Sequence, residues 1–386
     1  MMKHIKNYLK QRPMTKRFII YYVIAAKLYG KTFIKLILGR FIRKPANVFK
    51  KPQVLQLPIT FKCNCDCVMC GMRAIQQSEN FTYQDLDKIL SDELYSEITD
   101  VGVNGGEPFI VSDIEMYICV LLKRLPKLRA IYIISNGYFT DRMLEKLKIM
   151  KRKCGENSVK LAISISIDGV ESTHDEVRRV KGIFGKAIDT YRKIDNQKEL
   201  YCDYLGAICT ITKFNIININ ELEALVTKDD INMSYNVATV HRRLFNEDRL
   251  QDFSVFSSDE HRNLTAEFFY GKFIETKSMK YFALYQFLMD RKRISFCDFY
   301  NNRVTITPDK NISFCATKSK LLGNAIEESS YELFSRELAY RRNLVSQECS
   351  ACSHYSTTSL TLKGTLKYNS EILKIIGNPF RFRRVI

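Results

Sequence analysis

The first 52 residues contain no Asp or Glu, although they hold fourteen Lys and Arg. Residues 356–386 hold six basic residues against one acid, Glu371. The 386-residue chain has a formal net charge of +18; subtracting +14 for the first segment and +5 for the last leaves the body at −1. A near-neutral body argues against a nucleic-acid surface spread over the fold, and the positive charge of the ends speaks to docking. Long apolar runs are also missing. The only candidate targeting segment, Arg17 to Ile42, has an unbroken apolar run of nine, Phe18 to Ala26, before Lys27 interrupts it. Crossing a bilayer takes roughly 20 residues. No small-residue cleavage pattern follows closely, which argues against a signal peptide. Lys27, Lys31 and Lys35 instead recur at helical spacing. An amphipathic helix on an anionic membrane surface or on a partner, and a helix packed on the body with a solvated lysine stripe, both fit. The twelve cysteines lack the even spacing of a disulfide framework, and a chain this long needs no such staples. Reduced thiols in a cytoplasmic setting, peripheral to a membrane if the basic helix docks there, suit the pattern.

What the chain does have is a rhythm of alternating elements from residue 54 onward. Strand-like runs VLQLPITF, DVGVNGG, LRAIYIISNG, VKLAISISIDG, YLGAICTITKF and MSYNVATV are separated by segments with helical periodicity. The alternation predicts a parallel sheet with right-handed crossovers. Six units of roughly 31 residues match the size of a βα repeat and suggest an open six-fold barrel. In such folds the working residues lie just beyond the carboxyl ends of the strands. The unusual short motifs obey that rule. GGEP (Gly105 to Pro108), SNG (Ser135 to Gly137), SIDG (Ser166 to Gly169), TKFN (Thr212 to Asn215) and HRR (His241 to Arg243) each follow a strand.

The first strand is followed by FKCNCDCVMCGM, Phe61 to Met72, with four cysteines in eight residues. Asn64 and Asp66 are loop formers directly after a strand, so a metal site is favoured over a buried helix face. Cys63, Cys67 and Cys70 have C-x-x-x-C-x-x-C spacing. Alternate positions in so tight a loop are expected to point Cys65 away from them. Thiolates select zinc, copper(I) or iron–sulfur clusters, and spacing alone leaves these open.

C-x-x-x-C-x-x-C after the first strand, with GGEP after the second, resembles the radical S-adenosylmethionine (SAM) superfamily over residues 54 to about 240. The resemblance implies a partial (β/α)6 barrel and a 4Fe-4S cluster on Cys63, Cys67 and Cys70. The fourth iron is left for the amino and carboxylate groups of SAM. Reductive cleavage of SAM, with electrons from a flavodoxin or ferredoxin, would give a 5'-deoxyadenosyl radical that takes a hydrogen atom from substrate. Carried over by motif, Gly105, Gly106, Glu107 and Pro108 would meet the SAM amino group, flexible glycines letting the backbone come close. Asn136 belongs to the same cofactor set. Ser166 and Asp168 would lie near the ribose. Arg178 would reach the SAM carboxylate, a pairing guanidinium suits.

Cys297 and Cys315 bracket a hairpin pattern, and Cys349 and Cys352 form a late C-x-x-C. Together they look like the twitch form of the SPASM extension, a small α+β unit holding an auxiliary 4Fe-4S cluster; a four-cysteine zinc site has similar spacing. Most of Cys65, Cys119, Cys154, Cys202 and Cys209 are then core hydrophobes. The expected division is a basic amphipathic segment (1–52), the barrel (53–241), a helical linker (242–296), the cysteine-rich extension (297–355) and a basic tail (356–386). Four extra cysteines where a full SPASM extension has seven, and no leader-binding domain, tilt toward a sugar, cyclitol or lipid-linked glycan that is oxidised. A SPASM-type peptide maturase and a zinc-binding adaptor are the alternatives. Lys213, as a base toward a substrate hydroxyl, and Arg242, with His241 and Arg243, as an anion holder, are the substrate-handling candidates.

Overall fold

The computed structural model describes residues 26, 27, 29, 30, 49–75, 80–297, 299–354 and 359–377. The amphipathic-helix reading of the N-terminal segment falls almost wholly outside them, as does the end of the basic tail. No helix among the described residues is long and apolar enough to cross a membrane.

The described chain forms two compact units, the larger built from 49–265 and 297–354. Its centre is one sheet whose first six strands are β1 Val54–Pro58, β2 Asp100–Asn104, β3 Ala130–Ser135, β4 Lys160–Ser166, β5 Tyr204–Ile211 and β6 Met233–Val237. They lie side by side in sequence order and are all parallel, as the alternation of elements predicts. One face of each strand is buried under helices. On β3, Ile131, Ile133 and Ser135 are buried, whereas Tyr132 and Ile134 are 48% and 37% exposed, so the second face is open. The covering helices show the matching period. Met143, Leu147, Met150 and Cys154 recur along the helix Thr140–Glu156, and all four are fully buried. Cys202 and Cys209 are likewise core residues, while Cys119 is half-buried.

Two elements differ from the sequence reading. In the first segment of helical periodicity, between β1 and β2, the helix Tyr83–Ile89 stops early, and a 3-10 turn restarts at Glu93. The Asp92 carboxylate caps that turn by accepting from Leu94 N, and a residue with such a local bond competes with continued helix. The second difference is the sheet itself, which continues past the barrel. β7 (Arg303–Ile306) runs parallel to β1, with Gln56 opposite Thr305. β8 (Asn311–Ser313) and β9 (Gly323–Asn324) then follow antiparallel. The hairpin that the Cys297–Cys315 pattern implies is the pair β7–β8.

The smaller unit contains 266–296 and the described residues of 355–386. Its helices Met279–Asp290 and Leu362–Gly377 are joined by Lys367, whose ammonium meets Asp290 and Gln286 at 2.8 Å each. Phe273, Phe282 and Tyr368 pack ring on ring, with centroids 5.0 to 5.6 Å apart.

Candidate active site

The cysteine loop is a braced piece of backbone. Val68 N donates to Val177 O at 2.9 Å and Asp66 N to Arg178 O at 3.3 Å, which lays the loop against the end of the helix Ser172–Arg178. Gly71 N donates to Leu244 O, and Asn246 Nδ2 to Met69 O. The Arg249 guanidinium donates to the carbonyls of Cys70 and Val68. A Cβ on Gly71 would lie 2.1 Å from Phe245 O, so only glycine permits this approach. Nearly every strut comes from distant sequence, which fixes the thiols before any ligand binds.

Cys63, Cys65, Cys67 and Cys70 pack together with Val68, Met69, Val177 and Phe253. Cys65 corrects the sequence reading. Its thiol does not point away but lies within hydrogen-bond reach of both Cys63 and Cys67, and Asn136 Nδ2 donates to it at 3.3 Å. The loop turns at Cys67–Cys70, where Cys70 N donates to Cys67 O, so strand-like alternation does not govern it. These contacts push the Cys65 thiol pKa far up and, through the Cys65 hydrogen bond and then the Arg178 charge, hold Cys67 down at about 7. Burial pushes Cys70 up to about 12.

The GGEP segment works mainly as architecture. Gly106 N donates to Thr60 O at 2.7 Å and Glu107 N to Lys62 O at 2.9 Å. A Cβ on Gly105 would meet Thr60 O at 2.6 Å, and one on Gly106 would meet Lys62 O at 2.1 Å. The close approach that these glycines permit is thus to the start of the cysteine loop. Glu107 is 1% exposed and brackets the next strand end: Oε1 accepts from Ser135 Oγ and Phe109 N, Oε2 from Asn136 N. Its pKa is raised by burial, against the pull of those donors. Pro108 is buried at the first position of a short 3-10 turn. Asn136 links this bracket to the cysteine loop through Asn64 Oδ1 at 2.8 Å.

Asp168 lies beneath the rim, fully buried, rather than at its surface. Its Oδ1 accepts from Thr210 N at 2.7 Å, and Oδ2 pairs with Arg178 Nη2 at 2.5 Å. Arg178 Nη1 in turn reaches Cys67 Sγ at 3.7 Å. Asp168 and Arg178 therefore pair with one another, and the Arg178 charge favours a Cys67 thiolate while that of Asp168 opposes it. Ser166 is buried beside them.

The late cysteines approach the same mouth. Cys297 and Cys315 are close enough for their charges to interact, and Cys315 Sγ accepts from Lys318 N at 3.3 Å, with Thr317 and Ser319 N–H groups also turned to it. Lys318 pairs with Glu348 at 3.6 Å, which brings the Cys349–Cys352 turn alongside. Arg242 N and Arg243 N donate to Thr317 O and Ala316 O, and Ser353 Oγ donates to Thr239 Oγ1. His241 is buried between, its ring against Ala316 O, Thr317 Oγ1 and the His354 ring.

The two substrate-handling candidates sit outward. Lys213 Nζ donates to Gln251 O at 2.9 Å, and Arg242 is half-exposed with Glu247 at 3.4 Å. Sequence reasoning missed Asn246 and Arg249 as braces, since they belong to no motif. Arg243, grouped in the sequence with His241 and Arg242 as an anion holder, turns inward and donates to Asn104 Oδ1.

The donor set suits an anionic cluster. Three thiols come from one braced loop, and two buried donors around it, Asn64 Nδ2 and Arg178 Nε, have no acceptor. Among the described residues no three His, Cys, Asp or Glu side chains converge as they would on one ion.

Fold and site together define a parallel α/β partial barrel with a thiol-lined mouth. No family model matches the chain. A GTP 3',8-cyclase of Clostridium acetobutylicum is 26% identical over 190 residues, covering 47% of this chain and 52% of that protein. An Fe-coproporphyrin III synthase of Methanosarcina barkeri is 32% identical over 186 residues, covering 47% and 42%. The matches thus span about half the length of these relatives. Among solved structures, anSMEcpe with bound AdoMet and Cp18Cys peptide superposes with a TM-score of 0.53 at 16% identity, over 84% of this chain and 99% of that one. Streptococcus suis SuiB does so at 0.52 and 15%, over 75% and 67%. At such identity the likeness speaks to fold. The likeness to these proteins supports the radical SAM resemblance, in which S-adenosylmethionine and a 4Fe-4S cluster are the cofactors.

Proposed function

We propose that this protein is a radical SAM oxidoreductase of a hydroxylated small molecule of the sugar or cyclitol class, with an auxiliary 4Fe-4S cluster. Cys63, Cys67 and Cys70 would hold the first cluster, and Cys297, Cys315, Cys349 and Cys352 the second. When bound, the first cluster supplies the electron that cleaves SAM, and the second takes up the electron left on the oxidised substrate. The chain's own residues set the conditions. The Cys65 hydrogen bond, and after it the Arg178 charge, bias Cys67 toward its thiolate form. Glu107 and Asn136 tie the ends of β2 and β3 to the cysteine loop, so that the mouth has one shape. Burial pushes the Cys315 thiol up, and the N–H groups of 317–319 pull against it.

The observation that carries the reading is the loop His241–Asn246. One side of it braces the first cysteine set through Leu244 and Asn246, and the other pairs with Ala316 and Thr317 beside Cys315. Two electron-handling sites on one loop suit a two-electron oxidation. The relatives' names, GTP and coproporphyrin, are those of small molecules and support a small-molecule substrate over a peptide. A peptide substrate is the second reading, favoured by the superposition on nearly the whole of peptide-bound anSMEcpe.

The test is 5'-deoxyadenosine formation by anaerobically reconstituted protein, offered cyclitols and sugars in one series and Cys- or Ser-containing peptides in another. Stimulation by the first series only is expected. Stimulation by peptides only would replace the reading by maturation, and a sulfide-free protein holding zinc would end both.

A further inference from the structure

We propose that Arg243 and Asn104 form a receptor for an oxyanion on the substrate, so that the molecule entering this mouth carries a carboxylate or a phosphate. The inference rests on the substrate-oxidising reading above and narrows it.

The arginines around the mouth differ in one respect. Arg178 has Asp168, Arg179 has Asp66, Arg242 has Glu247 and Arg249 has Asp252. Arg243 has no carboxylate partner among the described residues. Its Nη1 donates to Asn104 Oδ1 at 2.6 Å, and its Nε is buried with no acceptor. Taking a guanidinium out of water is costly unless an anion meets it. The desolvation is strong enough to lower its pKa to about 10, with the Cys70 thiol the neighbour that pulls the other way.

The position is the second observation. Asn104 ends β2, one residue before the glycines that hold the cysteine loop, and the Arg243 backbone is bonded to Ala316 beside Cys315. The side chain therefore stands at the mouth between the two cysteine sets, where the substrate of the proposed reaction has to lie. Asn104 turns its carbonyl oxygen to Arg243, and its amide nitrogen has no partner among the described residues. A planar fork with a free edge and a neighbouring amide donor together match the geometry of a carboxylate or phosphate better than that of a neutral hydroxyl. Arg178, already paired, is unsuited to this task.

The probe is inorganic phosphate, titrated by equilibrium dialysis into the full, anaerobically reconstituted chain at low salt. Wild type is expected to bind one phosphate saturably in the millimolar range. Arg243→Gln should weaken binding about tenfold or more, the loss expected of a charge-assisted pair. Arg243→Lys should fall between the two, and Arg192→Gln, a surface arginine paired with Asp229, should bind as wild type does. If Arg243→Gln does not fold, Asn104→Ala serves, with a loss of about threefold or more expected from one hydrogen bond. Absence of saturable binding in wild type, or binding indifferent to Arg243, overturns the proposal. A second arm compares SAM with decarboxylated SAM. Wild-type discrimination between them should survive in Arg243→Gln; its loss would assign the arginine to the cofactor and overturn the substrate assignment. Iron and sulfide are measured on the same samples. A sulfide-free chain would remove the oxidoreductase reading, while the phosphate titration would still decide whether the oxyanion receptor exists.

Discussion

Gly106→Ala tests whether the second glycine of GGEP serves the backbone of the cysteine loop. A methyl group there would begin 2.1 Å from Lys62 O and 2.6 Å from Lys62 C, both main-chain atoms one residue before Cys63. An ordinary carbon–oxygen contact is more than an ångström longer, and no flexible side chain is available to yield. Relief requires parting the two segments, which breaks Gly106 N to Thr60 O and Glu107 N to Lys62 O. Two buried backbone bonds at about 1 kcal/mol each, plus about 1–3 kcal/mol of overpacking, give a destabilisation of about 3–5 kcal/mol. For a domain of this size that corresponds to a Tm lowered by about 6 to 20 °C. Gly185→Ala is the control: it lies in the helix Ile183–Asn196, and a Cβ there meets nothing within 4 Å. It should gain about 0.5–1 kcal/mol from helix propensity. Urea unfolding followed by circular dichroism under argon, with iron determination on the same preparations, reads both effects. Gly106→Ala should also lose iron, because Lys62 carries Cys63 with it. A Gly106→Ala protein as stable as wild type and fully loaded would refute the claim that these glycines are there for backbone approach.

Three further expectations follow from particular contacts. His174 accepts a hydrogen bond from Asp168 N at Nδ1, and its burial, with the nearby Arg178 charge, holds its pKa well below the usual value. A depressed histidine pKa means that the unfolded chain binds the extra proton. Stability should therefore fall as pH drops below about 6.5, by up to about 1.4 kcal/mol per pH unit, and His174→Asn should flatten that slope in urea titrations across the range. Asp168→Asn strands the Arg178 guanidinium and should cost about 3–5 kcal/mol, whereas Asp168→Asn combined with Arg178→Met should recover part of it; a double mutant no better than the single would contradict the pairing. Cys315→Ala should lower bound iron from roughly eight to roughly four per chain while 5'-deoxyadenosine formation persists, and unchanged iron would exclude the second cluster.

Much of the barrel was legible because its strands are buried on a helix-covered face and separated by helices with a matching period. Ile131, Ile133, Leu161 and Ile163 announce themselves by pattern. The site was legible as a set of loops but not as a set of contacts. That the cysteine loop follows β1 could be read from spacing; that Cys65 turns inward depends on a turn at Cys67 and on Asn136, 71 residues away. Motif order suggested Asp168 and Arg178 as separate ligand contacts. Their mutual ion pair is a tertiary fact, set by how the helix Ser172–Arg178 lies over the end of β4. The braces Asn246 and Arg249 left no trace in the sequence, because a side chain that holds another segment's carbonyl needs only to arrive there.

The pairing of β7 with β1 bears most directly on whether two cysteine sets can cooperate. If the late cysteines belonged to a module tethered only by its linkers, their distance from the first set would vary with linker conformation. Here Val54, Leu55 and Gln56 face Arg303, Val304 and Thr305 in a parallel ladder, so the strand that leads into the first cysteine loop also fixes the hairpin that presents Cys315. Val304, Thr305 and Ile306 are all buried, so a slip of one residue would exchange the side chains of two packed faces. The same hydrogen bonds that extend the sheet thereby hold the two sets at one separation. The His241–Asn246 loop, bonded to both, closes the frame from the opposite side. A rigid frame of this kind serves electron transfer, which requires fixed distance, more naturally than it serves zinc-stapled folding, for which a flexible module would suffice.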